Sequence, residues 1–285
     1  MRNRVVGTAA ACTLAAVCFC GVCSNWSTVA VALAQQKPAA AFDAKDLNGI
    51  WGRAGGGGGA EAGGNQSKAD ARGFMPDGGL MTEWGPSSPL TPKGLEQVNS
   101  NKSGKGPRQV PPAFANDLLG DANPPGLLRA MVYGRPFQMI VLPDKVVQLF
   151  EWTRVWREIW TDGRQPLEDV GPFWYGMSVG KWTGDTLVVE TTSLDARAWM
   201  DQWGSPFSES IKVQERWRRT SKDNLELVMT IDDPVMYTKP WTTARRNFRF
   251  QTKDMPDGEM LEVIFAPVDE KSFNERVRNP AAGLK

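Results

Sequence analysis

Between residues 134 and 266 the sequence repeats one pattern: short runs of β-branched and aromatic residues, each closed by residues that favour turns. This pattern is typical of an all-β domain. It predicts nine strands, at Phe137–Leu142, Val146–Trp152, Thr153–Thr161, Met177–Trp182, Thr186–Thr192, Ile211–Thr220, Asn224–Ile231, Thr242–Thr252 and Met260–Ala266.

The connections between these runs are short and chemically explicit. Pro143-Asp144 and Gly184-Asp185 are turn dipeptides, and Ser221 to Asp223 joins two long strands. Consecutive strands with tight turns indicate an antiparallel meander, which favours closure into a lipocalin-like barrel. A two-sheet β-sandwich is the alternative solution for burying one face of so large a sheet. The longer connection from Ser193 to Ser210 is expected to close one end of the domain.

The chain divides into four predicted segments. Residues 1–34 form a signal peptide, 35–73 an N-terminal segment with a Gly-rich linker, 74–133 a Pro/Gly-rich extension, and 134–285 the all-β domain. The extension is irregular and carries one short helix signal. In that signal Thr91 is the N-cap and Pro92 occupies the first helical position.

The N-terminus has the order of a secretory signal. Arg2 and Arg4 precede an apolar stretch, and Ala32-Leu33-Ala34 supplies an A-x-A cleavage site. The apolar run is too short for a bilayer span, so no membrane insertion is expected after cleavage. The predicted location is periplasmic or secreted. A lipid-modified cysteine within the leader is the alternative, because all four cysteines lie there, at Cys12, Cys18, Cys20 and Cys23.

The absence of histidine, and of cysteine outside the leader, excludes several kinds of catalytic and metal site. The chain has no histidine, which removes catalytic triads and histidine-ligated metal sites. With every cysteine in the leader, the mature chain also lacks thiolate nucleophiles and disulfides. We therefore expect no metal site and no cofactor. Basic and acidic residues balance, at 33 against 32, so nucleic acid is not an expected partner. The sequence does not indicate an oligomeric state.

Alternation along the strand at 211–220 places a carboxylate on an apolar face. Glu215 shares its side of the strand with Val213 and Trp217, so it should point inward. A buried carboxylate must be paired or protonated. Arg157 and Arg246 lie on apolar faces of other strands and are the candidate partners. Glu215 with Arg157 could act as a catalytic acid/base pair or form a structural ion pair, and Arg246 could anchor a ligand.

The high tryptophan content is a second indication of a binding site. The chain has 12 tryptophans against three tyrosines, and one of the tryptophans lies in the leader. Such residues fill cores, line ligand pockets or face sugars. Four of them lie in or beside loops, or on a face that alternates with charges. The predicted ligand-binding set is Trp156, Trp174, Trp199 and Trp203.

Several motifs spread over the mature chain resemble one family. They include Asp46 to Trp51, Trp182 to Val189 (W-x-GDTLVV) and Ile231 to Trp241 (IDDP-x-x-YT-x-PW). Together they are similar to a family of uncharacterised secreted bacterial proteins, and the resemblance implies no established activity. Relatives tend to carry a His near Phe207 and a Cys before Pro124, and this chain has neither.

Three functions are compatible with these observations. The preferred prediction is an exported barrel that binds a small apolar or aromatic ligand. The second is a cofactor-free isomerase, hydratase or lyase that uses the buried Glu and Arg. The third is an extracellular module that recognises glycans or proteins. An internal cavity around Glu215 would favour the first two, and a solid core with an exposed row of tryptophans would favour the third.

Overall fold

A computed structural model describes residues 42–54, 68–70, 72–101, 117–121, 123–167, 170–255, 258–263, 279–281 and 283. The predicted leader and most of the Gly-rich linker lie outside these residues. The described residues belong to one compact unit, Ala40–Lys285. Its strands are β1 Gly49–Arg53, β2 Met81–Thr82, β3 Gly85–Pro86, β4 Phe137–Val141, β5 Lys145–Phe150, β6 Val155–Trp160, β7 Met177–Thr183, β8 Thr186–Thr192, β9 Lys212–Ser221, β10 Asn224–Asp232, β11 Trp241–Thr242 and β12 Arg246–Phe250. Its helices are α1 Pro92–Asn101, the 3-10 helix Leu118–Asp121, α2 Leu127–Val132 and α3 Asn279–Ala281.

Nine strands close into a barrel, which confirms the predicted fold class. Their order is β10-β12-β1-β4-β5-β6-β7-β8-β9, and β9 pairs back with β10 to complete the ring. Closure excludes the sandwich alternative, because a closed sheet has no second sheet to pack against. The small strand β11 extends the end of β10, and β2 and β3 form a separate hairpin.

Neighbouring strands run antiparallel from β4 to β6 and from β7 to β10. The exception is the pair that joins these two groups. The β6–β7 pair is parallel, and it joins only at Ile159↔Ser178 and Trp160↔Val179. The connection after Trp160 must return along the barrel before β7 begins, and this reversal makes the pair parallel. The chain bends between the second and third predicted strands, where Thr153 and Arg154 adopt φ of 67° and 52°.

The strand that completes the barrel comes from outside the segment predicted as the all-β domain. β1 lies between β12 and β4, with Trp51 paired with both Phe250 and Phe137. The predicted boundary at residue 134 therefore omitted one barrel strand. The side chain of Trp51 is fully buried and packs edge-on against Phe250.

The two ends of the barrel differ. Tight turns close one end, after β4, β7 and β9. At the other end, which we call the covered end, the segment from Ser193 to Ile211 contributes the buried side chains of Met200 and Phe207 to the core, and Trp199 is buried in the same segment. The helix α2 also packs there, with all six residues buried. The prediction of a single helix in residues 74–133 was therefore wrong, since an apolar segment seals this end of the core. Thr91 caps α1 as expected, accepting the Gly94 N–H at 3.0 Å.

Side chains fill the inside of the barrel. On β9 the residues Val213, Glu215 and Trp217 are buried while Arg216 and Arg218 are exposed, so the predicted inner face is confirmed. Trp217 packs against Phe137 and Phe248 from the opposite wall. None of the helices in the described ranges is long and apolar enough to cross a membrane.

Two predicted strands differ from the structure. The run at 242–252 is split into β11 and β12. Thr243 stays bonded to Met229 of β10, whereas Ala244 donates its N–H to the Trp84 carbonyl on the β2–β3 hairpin. The run at 260–266 is not a strand in its described part, residues 260–263. There Val263 forms one isolated bridge with Trp152, and the remaining residues lie outside the described ranges.

Candidate functional site

A hydrogen-bonded polar layer crosses the inside of the barrel. Arg157 binds Glu215 with two parallel hydrogen bonds, Nη1 to Oε1 at 2.7 Å and Nη2 to Oε2 at 2.6 Å. This is the pair that the strand pattern predicted as one of two options. The layer is completed by Gln148, Ser178, Thr191 and Trp217.

Within this layer the acceptor capacity of Glu215 is taken up. Thr191 Oγ1 donates to Oε1 at 3.2 Å, and Trp217 Nε1 donates to Oε2 at 2.8 Å. Each oxygen thus accepts two hydrogen bonds, and the residue has no exposed surface. A carboxylate so occupied is poorly placed to take a proton from a substrate. The geometry is that of a structural ion pair that fixes Arg157.

A cleft opens in the barrel wall beside Arg157. It lies between β6 and the segment Phe173–Ser178, and its volume is about 410 Å³. β6 and β7 pair only at Ile159↔Ser178 and Trp160↔Val179, and Gly176, with φ of 64°, forms the turn just before β7 begins. A side chain at Gly176 would meet the Thr192 carbonyl at 2.6 Å, so only glycine fits this turn.

Aromatic residues surround the cleft. Trp156 is 64% exposed and Phe173 is 47% exposed, so both offer ring surface to a bound molecule. Among the described tryptophans, Trp156 alone is exposed. The aromatic lining is Trp156, Trp160, Phe173, Trp174 and Tyr175.

Charges at the cleft are already paired within the chain. Arg157 is neutralised by Glu215, and Glu158 binds Lys145 at 2.6 Å. The Arg197 guanidinium lies over the Trp174 ring at 4.8 Å and pairs with Asp195. The cleft therefore presents aromatic faces and no unpaired formal charge from these groups, which suits a neutral aromatic molecule.

The other predicted site residues lie elsewhere. Trp199 is buried in the core and lies 5.8 Å from the Arg129 guanidinium. Trp203 is half-buried in the covered end, where its backbone N–H donates to Asp201 Oδ1 at 2.9 Å. Arg246 points inward as expected, but it lies over Trp84 and donates to the Glu83 carbonyl rather than approaching Glu215. The structure thus brings together Trp156, Trp174 and Arg157, with Glu215 behind them.

A second polar cluster under the covered end was not predicted. Glu83 donates its backbone N–H to Asp201 Oδ2 at 2.9 Å, and Gln202 Nε2 donates to the Glu83 carboxyl at 2.6 Å. Burial, and next the nearby Asp201 carboxylate, raise the pKa of Glu83 from 4.5 to about 7, against the lowering effect of Arg246 and Arg129. Burial also lowers the pKa of Arg246 to about 10. The pKa of Glu83 is therefore raised into the neutral range.

This shift predicts that stability falls between pH 4.5 and pH 7. In that range the folded chain holds a proton on Glu83 that the unfolded chain has lost, so raising the pH favours unfolding. The loss should be about 1–2 kcal/mol, since water reaches this half-buried carboxyl and screens it. Urea denaturation at both pH values checks it, with Glu83→Gln as the control that removes this component. An equal pH dependence in parent and variant would contradict the assignment.

Sequence reasoning missed several cleft residues, namely Phe173, Tyr175, Gly176 and Trp160. One signal was available: Gly171-Pro172-Phe173-Trp174-Tyr175-Gly176 sets three consecutive aromatics between glycines. Such a run cannot bury every ring in a strand, because alternate side chains point to opposite faces. It indicates a turn that holds aromatic side chains at a surface.

The fold and the site together define a class: a closed nine-stranded barrel with a packed interior and an aromatic cleft in its wall. No protein-family model matches the chain, and no curated protein or solved structure matches it significantly. The resemblance to a secreted bacterial family therefore stays a prediction, and functional conclusions depend on the site itself.

Proposed function

We propose that the chain is an exported β-barrel protein that binds a small, neutral aromatic ligand in the β6–β7 cleft. The observation that carries this proposal is Trp156. A large apolar ring that is 64% exposed on a regular strand costs free energy in water unless something covers it. Export is supported by the basic n-region, apolar stretch and A-x-A site at the N-terminus.

Size and composition support binding of a small molecule. A volume of about 410 Å³ falls within the range of roughly 300–1,000 Å³ that ligand pockets occupy. Aromatic rings on both walls can stack on a planar ligand, each such contact contributing about 0.5–1.5 kcal/mol. A recognition surface for polymers would present a row of exposed tryptophans, and the described chain has a single one. The small-ligand function is therefore favoured over the interaction module.

The polar layer has a supporting role in this proposal. Arg157 lines the cleft, whereas Glu215 is not among the lining residues. Glu215 holds the guanidinium from behind and so positions the floor of the cleft. The same arrangement counts against acid/base catalysis by Glu215, because its oxygens are occupied.

Replacing Trp156 tests the proposal. We expect the parent protein, purified from the periplasm of an expression host and shown by intact mass to begin near Gln35, to bind 3-methylindole in a saturable manner. Trp156→Ala should weaken that binding about tenfold through the lost stacking and burial. Stability should change by no more than about 0.5 kcal/mol, because the ring is exposed. Isothermal titration calorimetry measures the first quantity and urea denaturation the second.

Leu142→Ala is the matched control, since Leu142 is an exposed apolar residue in the β4–β5 turn at the far end of the barrel. It should bind as the parent does. No saturable binding by the parent protein, or equal affinity in parent and Trp156→Ala, would remove the cleft as a ligand site.

A further inference from the structure

A second pocket adjoins the aromatic cleft. It lies between the outer side of β6 and β7 and the segment 164–167, and its volume is about 230 Å³. Alternation along β7 sets the outer side, because Ser178 is buried inside the barrel whereas its two neighbours are half-buried on the outside. The apolar residues that line the pocket are Trp160, Pro166, Leu167, Met177 and Val179.

This pocket, which we call the aliphatic pocket, differs from the cleft in its lining. Five aromatic residues surround the cleft, whereas Trp160 is the aromatic residue among those that line the aliphatic pocket. The other apolar side chains there are saturated. One of them, Leu167, is 56% exposed, so the pocket presents apolar surface to water. Contact with an apolar molecule would remove that surface from water, which is favourable.

The cleft and the aliphatic pocket share one wall. Trp160, Met177 and Ser178 line both of them. Val179 lines the aliphatic pocket alone of the two, and it lies two residues after Met177 on β7. Two residues of a strand span about 6.6 Å, the length of an extended chain of about five carbons. A flexible chain attached to a molecule in the cleft is therefore long enough to enter the pocket.

Two cations hold the ring of Trp160 in this shared wall. The Arg164 guanidinium lies over the ring at 3.6 Å and the Lys145 ammonium at 4.4 Å. Both cations are paired within the chain, Arg164 with Asp162 at 2.6 Å and Lys145 with Glu158 at 2.6 Å. The cations occupy the ring surface on which a second aromatic group would stack. The pocket therefore favours a saturated chain over another ring.

We propose that the ligand is an aromatic molecule with an unbranched alkyl chain of about five carbons, and that the chain occupies the aliphatic pocket. This inference rests on the proposed function, because the aromatic ring of the ligand lies in the cleft beside Trp156. The chain passes Met177 and ends against Leu167 and Val179. Its burial removes apolar surface of both the ligand and the pocket from water.

Three probes separate this inference from the proposed function. They are 3-methylindole, 3-pentylindole and 3-(4-hydroxybutyl)indole. The first occupies the cleft alone, and the second adds the chain. The third matches the second in its number of non-hydrogen atoms but ends in a hydroxyl group. A hydroxyl among apolar side chains loses its hydrogen bonds to water, so the alcohol is the matched control for chain length.

We expect 3-pentylindole to bind the parent protein at least tenfold more tightly than 3-methylindole in isothermal titration calorimetry, since each buried methylene group contributes about fourfold. The alcohol should bind about fivefold or more weakly than 3-pentylindole, the effect of burying its hydroxyl. Trp156→Ala should weaken the binding of all three probes, because each places its ring in the cleft.

Variants of the aliphatic pocket locate the chain. Val179→Asn places an amide in the pocket and should weaken 3-pentylindole binding about fivefold. The affinity for 3-methylindole should not change, because Val179 does not line the cleft, and this second measurement also shows that the variant is folded. Leu167→Asn, at an exposed position, should act in the same direction. Val235→Asn is the matched control, since Val235 is 38% exposed and lines neither pocket.

Each outcome decides one of the two proposals. If 3-methylindole binds through Trp156 and 3-pentylindole binds no tighter, the alkyl-chain inference is overturned and the small-aromatic function stands. The same conclusion follows if the alcohol binds as tightly as 3-pentylindole, or if both pocket variants, Val179→Asn and Leu167→Asn, keep the parent's preference for the chain. If neither 3-methylindole nor 3-pentylindole binds, the proposed function itself is wrong.

Discussion

Glu215→Ala should destabilise the folded chain by about 3–5 kcal/mol, the largest single effect that we expect from this structure. The substitution leaves the Arg157 guanidinium buried without its carboxylate, and an uncompensated buried charge costs about that much. It also removes the acceptor for the Trp217 Nε1 and Thr191 hydroxyl donors. Urea denaturation of parent and variant measures the difference in the free energy of unfolding.

Glu226→Ala is the control for this measurement. Glu226 lies on the outer side of β10 and pairs with the exposed Arg245 at 3.8 Å, so its loss should cost no more than about 0.5 kcal/mol. Equal stabilities of the two variants would contradict the burial of Glu215. Glu215→Gln refines the result: a folded Glu215→Gln protein that binds 3-methylindole as the parent does would establish that Glu215 is structural.

Gly176→Ala should destabilise by about 3 kcal/mol, the second largest effect. Alanine in the left-handed conformation costs about 1–2 kcal/mol. The added methyl group would lie 2.6 Å from the Thr192 carbonyl oxygen and 2.7 Å from Thr191 Cγ2, and such overpacking costs about 1–3 kcal/mol more. The same denaturation experiment measures it.

Gly184→Ala separates the two components of that cost. Gly184 has φ of 57°, close to that of Gly176, but nothing lies within 4 Å of the position its Cβ would occupy. Only the conformational cost remains, about 1–2 kcal/mol. If the Gly176 variant proves no less stable than the Gly184 variant, the close approach of the chain at the cleft is wrong.

Local pattern was sufficient to predict most of the barrel. Strand β9 shows why: Val213, Glu215 and Trp217 alternate with Gln214 and Arg216, and the period of two survives folding because one face must be buried. Turn dipeptides such as Gly184-Asp185 fixed the hairpins. Sequence reasoning therefore predicted the inner position of Glu215 and its pairing with an arginine.

Residue alternation and turn residues do not predict which distant strands pair with each other. β1 is five residues with two glycines, and nothing in Gly49–Arg53 specifies β12 and β4 as its neighbours. The parallel β6–β7 pair depends on the path of the whole connection after Trp160. Glu83 was missed for a similar reason, since it lies between Thr82 and Trp84 in a Pro/Gly-rich region and acquires its environment from Asp201 and Gln202.

The candidate site was also predicted only in part, because local pattern does not show which aromatic side chains the fold covers. Trp156 and Trp174 were chosen because they adjoin loops or charges, and the cleft brings them together. Trp199 satisfied the same criterion, yet the chain buries it in the covered end. Exposure of an aromatic ring depends on which segment crosses over it, and that is set by turns such as the one at Gly176 rather than by neighbours in sequence.

The position of β1 governs the order in which the barrel can form. Ile50 donates its N–H to Thr252, a residue 202 positions later in the chain, and closing so long a loop costs entropy before any contact compensates for it. A nascent chain leaves the ribosome N-terminus first, so β1 has no partner in β12 until about 200 further residues have been synthesised. The proposed export through a narrow membrane pore would impose the same order, because the ring would stay open until its last strand had cleared the channel.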